Sequence, residues 1–149
     1  MKELYLYDNN ISDIKVLENV KFEKLEILNL FFNKISDINI LEKVKWKQLK
    51  ELYLSYNNIS DIKVLANVKF EKLEKLGLAS NKISDINILE KVKFIELKEL
   101  DLHLNNISDI KVLEKVKFKK LEILSLSDNK ISDLNSVKRK LKIKELYIW

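Results

Sequence analysis

Leucine, isoleucine and valine recur along this chain at intervals that repeat as a block. Residues 49–72 read LKELYLSYNNISDIKVLANVKFEK and residues 73–96 read LEKLGLASNKISDINILEKVKFIE. With each unit numbered from its first leucine, the apolar positions are 1, 4, 6, 11, 14, 16, 17, 20 and 22, and the rest are mostly polar. Leu52 and Leu54 alternate with Glu51, Tyr53 and Ser55, the period of a strand with one buried face. Ile62, Val64, Leu65 and Val68, at positions 14, 16, 17 and 20, fall on one arc of a helix. Each unit therefore predicts a short strand, a turn and a short helix.

Asn9, Asn33, Asn57, Asn81, Asn105 and Asn129 mark the repeat at an unbroken spacing of 24 residues. The units are 1–24, 25–48, 49–72, 73–96, 97–120 and 121–142, with a final strand at 143–149, all in one domain. A lone unit would leave both flat sides of its apolar interior in water, so neighbours must stack and their strands join one parallel sheet. Leu49, Leu52, Leu54, Asn57 and Ile59 spell LxxLxLxxNxI, and in this the chain resembles the leucine-rich repeat family. The continuation Ile59, Ser60, Asp61, Ile62, Leu65 is similar to the internalin and phosphatase-regulator subclasses, although these units have 24 residues where those subclasses usually have 22. The resemblance implies an α/β leucine-rich repeat solenoid, with a parallel sheet on the concave face, short helices on the convex face, and ligands held on the concave side.

The repeated asparagines are read as ladder residues whose amides satisfy turn carbonyls and amides between adjacent rungs. Asp13, Asp37, Asp61, Asp85, Asp109 and Asp133 are read as N-caps of the helices; a calcium site would need further oxygen ligands. Position 22 holds Phe22, Trp46, Phe70, Phe94 and Phe118, expected to stack as core beneath the convex side. Lys2, Glu26, Lys50, Glu74, Lys98 and Glu122 alternate in sign at position 2, which sets opposite charges on neighbouring strands. The lysines at position 21 are expected to be offset by Glu18, Glu42, Glu90 and Glu114 three residues earlier.

Positions 5, 7 and 8 vary from unit to unit while the rest of the text holds. They carry the chain's one glycine, Gly77, and its one histidine, His103. Because positions 4 and 6 point inward, positions 5 and 7 point outward onto the open face of the sheet. Tyr5, Tyr7, Phe31, Phe32, Tyr53, Tyr56, Tyr147 and Trp149 all fall on this variable face. With Asp101 and His103 they are the candidate ligand-binding residues, because exposed aromatic clusters mark interaction surfaces. Cross-strand aromatic pairs that merely stabilise the sheet are the plainer alternative.

Composition narrows the chemistry. The chain has 149 residues, 34% of them charged, no cysteine and no proline. Disulfide scaffolds, collagen-like chains and disordered tails are excluded. No apolar run approaches the roughly 18 residues of a membrane span, and the first residues lack a signal-peptide core. A cytoplasmic setting is favoured, with export left open by the sequons at Asn10, Asn58 and Asn106. One histidine and no cysteine leave nucleophilic catalysis without parts, and no cofactor or metal motif is present, so no enzyme is expected. The net charge of +5 invites nucleic acid, but Asp8, Asp101 and Asp128 on the variable face argue against it.

The chain opens directly on a repeat, and Ser136, Lys138, Arg139 and Lys140 break the apolar pattern with a loss of two residues, at best a partial cap. Exposed repeat ends favour association. From the variable aromatic positions, a module binding a protein or peptide on its concave face is the first expectation, and from the ends, end-to-end self-assembly into oligomers or filaments is the alternative. A fragment of a longer array is the third.

Overall fold

A computed structural model describes residues 1–133 and 143–148. Seven strands, β1 (Glu3–Tyr5), β2 (Ile27–Asn29), β3 (Glu51–Tyr53), β4 (Lys75–Gly77), β5 (Glu99–Asp101), β6 (Ile123–Ser125) and β7 (Glu145–Tyr147), form one parallel sheet in sequence order. Equivalent positions pair directly, as in Leu28 with Leu52 and Leu76 with Leu100. The rungs are stacked in register, and the solenoid expected from the repeat is present. Ile123 pairs with Glu145, 22 residues on, so the loss of two residues before the last strand is real. The break at Ser136 to Lys140 itself lies outside the described residues, as does Trp149.

Each strand is three residues long because only positions 3 to 5 hold full ladder geometry, but inter-rung bonding continues past it. Leu30 N–H donates to Tyr53 O, and Phe32 N–H to Ser55 O. Positions 4 and 6 point into the core: Leu28, Leu52 and Leu100 are completely buried, as are Leu30, Leu54 and Leu102. Each such leucine contributes about 1.5–3 kcal/mol of burial, which holds neighbouring rungs together.

The predicted helix is a single 3-10 turn, such as Lys63–Ala66 or Asn87–Glu90. The bonds run three residues back, from Leu65 N–H to Ile62 O and from Leu89 N–H to Ile86 O. A 3-10 turn covers more length per residue than an α-helix and eclipses side chains three apart. Ile62, Leu65 and Val68 are accordingly all buried. Asp13, Asp37, Asp61, Asp85 and Asp109 are not N-caps. The N-cap position is the following isoleucine, which makes no side-chain cap bond. These five aspartates instead close a local turn one residue earlier, with Asp13 Oδ1 accepting from Lys15 N–H at 2.8 Å and Asp61 Oδ1 from Lys63 N–H at 2.9 Å.

The asparagine ladder has the expected form and completes the inter-rung bonding. Asn57 Nδ2 donates to Leu30 O at 3.0 Å and Leu54 O at 3.1 Å, and its Oδ1 accepts from Ile35 N–H at 2.9 Å. Behind the sheet, Phe22, Trp46 and Phe70 stack at centroid distances of 6.3 and 6.2 Å, with Trp46 and Phe70 buried. Charges at position 2 pair across rungs: Lys2 and Lys50 reach the Glu26 carboxylate at 2.9 and 2.7 Å, and Lys98 reaches Glu74 at 2.6 Å. Glu18 and Glu90 pair with Lys43 and Lys115 of the following unit, and Glu42 accepts from Asn67. For Glu18, Glu42 and Glu90 the offset expected within a unit for the position-21 lysines is corrected accordingly, because the 3-10 turn ends before position 21 and no helical spacing links the two sites.

Candidate ligand-binding face

The open face of the sheet is built by strand positions 3, 5 and 7 and by position 8, where the chain turns away. Pleating forces this division: with positions 4 and 6 committed to the core, their neighbours face outward. At position 8 every described unit turns through a left-handed backbone, with φ of 54° at Asp8, 55° at Phe32, 57° at Tyr56, 50° at Ser80, 52° at Leu104 and 54° at Asp128. Asp accepts this conformation readily, whereas a bulky residue there costs about 1–2 kcal/mol. Phe32, Tyr56 and Leu104 occupy it nonetheless, and all three are exposed.

Nine of the ten candidate residues are described, and they divide into three groups. Phe31, Phe32 and Tyr56 form a closed triangle, with centroid distances of 5.0 Å for Phe31 and Tyr56, 6.1 Å for Phe32 and Tyr56, and 6.2 Å for Phe31 and Phe32. Tyr53 stands beside them, half-buried. It joins Phe31, Tyr56, Asp101 and His103 around an open hollow of about 190 Å³. Tyr5 and Tyr7 make a separate edge-to-face pair at 6.4 Å on the first rung. Tyr147 lies on β7 at the far end, where it borders a second hollow shared with Asp101 and His103. Trp149 lies outside the described residues. The aromatic face is thus one central cluster with outlying rings, rather than a continuous stripe.

The floor of the central hollow is made by residues that composition alone does not single out as a group. Gly77 and Ala79 are buried although they sit at outward positions. A Cβ on Gly77 would stand 3.0 Å from Ser55 Oγ and 3.3 Å from Tyr53 Cδ1, so a larger residue here would press on these two side chains. Ser55 Oγ accepts from Ala79 N–H at 3.1 Å and is held there. Gly77 was legible as the single glycine at a variable position. The consequence, a hollow between two walls of side chains, needed the three-dimensional register of β3, β4 and β5.

Position 3 supplies a feature the variable positions did not reveal. Glu3, Glu51 and Glu145 each accept a hydrogen bond from the tyrosine two residues on, at 3.1, 2.6 and 2.6 Å. Burial, and then the Glu51 bond, hold the Tyr53 phenol well above its ordinary pKa; the Glu3 and Glu145 bonds raise those of Tyr5 and Tyr147. All three phenols stay neutral across the physiological range. Asp101 Oδ1 lies 2.7 Å from His103 Nδ1 and also accepts from His103 N–H. Lys75 reaches Glu51 at 3.3 Å. Glu99, which also lines the hollow, makes no side-chain hydrogen bond or ion pair among the described residues.

Comparison with known proteins places the repeat in a family. The family model for tandem leucine-rich repeats matches residues 1–43, 47–91 and 95–139. No curated protein matches the chain. An internalin (inlF) of Listeria monocytogenes is 27% identical with a TM-score of 0.68, over 99% of this chain and 47% of its own. A leucine-rich repeat protein of Leptospira interrogans is 28% identical with a TM-score of 0.82, over 100% of this chain and 37% of its own. The ectodomain of the plant receptor kinase GASSHO1/SCHENGEN3 of Arabidopsis thaliana, solved in complex with CASPARIAN STRIP INTEGRITY FACTOR 2, is 25% identical with a TM-score of 0.75, over 99% of this chain and 18% of its own. The chain spans about half the length of that internalin and a smaller share of the other two. With the family model matching three times along the stacked rungs, the chain belongs to the leucine-rich repeat family.

Proposed function

We propose that this chain is a non-enzymatic recognition module that holds a protein or peptide ligand on the open face of its sheet. One observation carries the reading: Phe32 and Tyr56 are exposed and bulky, and both occupy left-handed backbone, where Asp8 and Asp128 stand in other units. Folding gains little from these rings, and the backbone would be more comfortable without them. A residue that costs stability and remains solvent-exposed has its use outside the fold. Phe31 and Tyr53 extend the same patch toward the hollow, and Asp101 and His103 form its far wall. Tyr5, Tyr7, Tyr147 and Trp149 are outer contacts reached by a longer ligand.

The plant ectodomain similar to this chain was solved in a complex, which supports ligand recognition by this architecture. His103 and Asp101 have the spacing of an acid–base pair, yet no hydroxyl is hydrogen-bonded to the ring among the described residues, and the pair serves as a polar contact.

The test is a phage-displayed random peptide library panned against the intact chain, followed by capture on a chain carrying Phe32→Asn and Tyr56→Asn. Asparagine tolerates the left-handed backbone, so the midpoint of thermal unfolding stays level or rises while capture of the selected peptides falls at least tenfold. Undiminished capture on the double variant would sink the proposal.

A further inference from the structure

The chain as a whole is basic, with a formal charge of +5, but its sheet face is acidic. At strand positions 3, 5 and 7 the described residues include Glu3, Glu51, Glu99, Asp101 and Glu145 against one lysine, Lys75. Lys75 is already paired with Glu51, and Glu51 also takes the Tyr53 hydroxyl. The remaining carboxylates at the central hollow are Glu99, which has no side-chain partner among the described residues, and Asp101, which holds His103. The hollow between them has a floor of Gly77 and Ala79 and a wall of Tyr53, Phe31 and Tyr56; Lys75, opposite Glu99 in the β4–β5 register but with its ammonium at Glu51, is also part of the lining.

An apolar slot that ends at carboxylates matches one kind of side chain: a long aliphatic stem with a cationic head. Lysine and arginine bury their methylenes along apolar surface and keep the charge at a polar tip. Resting on Tyr53, a cation gains from the ring face, and at Glu99 it gains a charge-assisted hydrogen bond. An acidic side chain would face like charge at Glu99, and a neutral donor would hydrogen-bond there without the charge pairing that a cation adds.

We infer that the hollow over β3, β4 and β5 is a subsite for a lysine or arginine side chain of an extended peptide, with the stem on Tyr53 and Gly77 and the head at Glu99 and Asp101. The inference rests on the proposed ligand-binding face and adds the charge of the ligand. The small floor is part of it: at Gly77 any larger residue takes space from the stem.

The probe is the same displayed random peptide library, panned on the intact chain, with selected peptides resynthesised. Selected peptides carry a lysine or arginine whose replacement by norleucine or citrulline lowers affinity at least tenfold. Glu99→Gln lowers affinity for the parent peptide by a similar factor and has little further effect once the basic residue is replaced. Gly77→Ala weakens the parent peptide as well, and thermal unfolding of both variants verifies that they fold. Peptides without enrichment in basic residues overturn the inference. So does a citrulline penalty that is undiminished in Glu99→Gln. Peptides that bind the Phe32→Asn, Tyr56→Asn chain undiminished place the ligand off this face, and then the functional reading fails along with the inference. Peptides lost on that double variant but indifferent to their own basic residue overturn the inference alone.

Discussion

Two aromatic groups of this protein have nearly the same ring spacing and opposite surroundings. Phe22, Trp46 and Phe70 stack at 6.2 to 6.3 Å within the convex side, and Phe31, Phe32 and Tyr56 meet at 5.0 to 6.2 Å on the open sheet face. The first group returns every 24 residues and is buried at Trp46 and Phe70. The second occupies two units only and is exposed. Ring contact therefore does not separate the two groups, whereas periodicity and burial do. A side chain required by every rung appears in every rung, and the open-face rings, confined to two units, are not of that kind.

Substitutions should divide along the same line. Trp46→Ala removes a buried ring from the convex stack and is expected to destabilise the chain by about 3–5 kcal/mol in chemical denaturation. Phe31→Ala, on the other face, should cost well under half as much. Asn57→Ala strips the partners of buried backbone groups at Leu30, Leu54 and Ile35, with an expected loss of about 2–3 kcal/mol. Asn9→Ala removes an exposed side-chain amide that bonds only within its own rung and should cost about 1 kcal/mol or less. A comparable loss at Asn9 would mean that the ladder acts locally rather than between rungs.

The smallest expected effect is electrostatic. Hydrogen bonds from Lys50 and Lys2 hold the Glu26 carboxyl down at about 2, below the ordinary carboxylate value. Its stabilising contribution is present above the ordinary carboxylate value and disappears as pH falls through about 2. In Glu26→Gln the difference in unfolding midpoint from the parent chain should be largest near neutral pH and shrink toward pH 2. A difference that does not change with pH would assign the effect to packing instead.

Much of the architecture was legible in the order of residues. The alternation of Leu52 and Leu54 with Glu51 and Tyr53 gave strand direction and face, and the spacing of Asn57 and Asn81 gave the register. The convex turn was harder. Positions 14, 16, 17 and 20 fit a helical arc, but positions 14, 17 and 20 also fit a period of three, and a turn of four residues follows the shorter period. The cap expected of the aspartates depends on a longer helix, which the chain does not build. The left-handed backbone at position 8 was hidden because Phe32, Tyr56 and Leu104 are poor residues for it. The hollow was hidden for another reason: Tyr53, Gly77, Glu99 and Asp101 lie on three strands and meet only once the rungs are stacked.

The most direct measurement is a titration of a library-selected peptide against the parent chain and a chain with Phe31, Phe32 and Tyr56 all changed to serine, with thermal unfolding recorded on both. Retained cooperative unfolding together with at least a hundredfold loss of affinity is the predicted result. Equal affinity for the two chains, or a serine variant that no longer folds, would contradict the division between a face that binds and a core that holds.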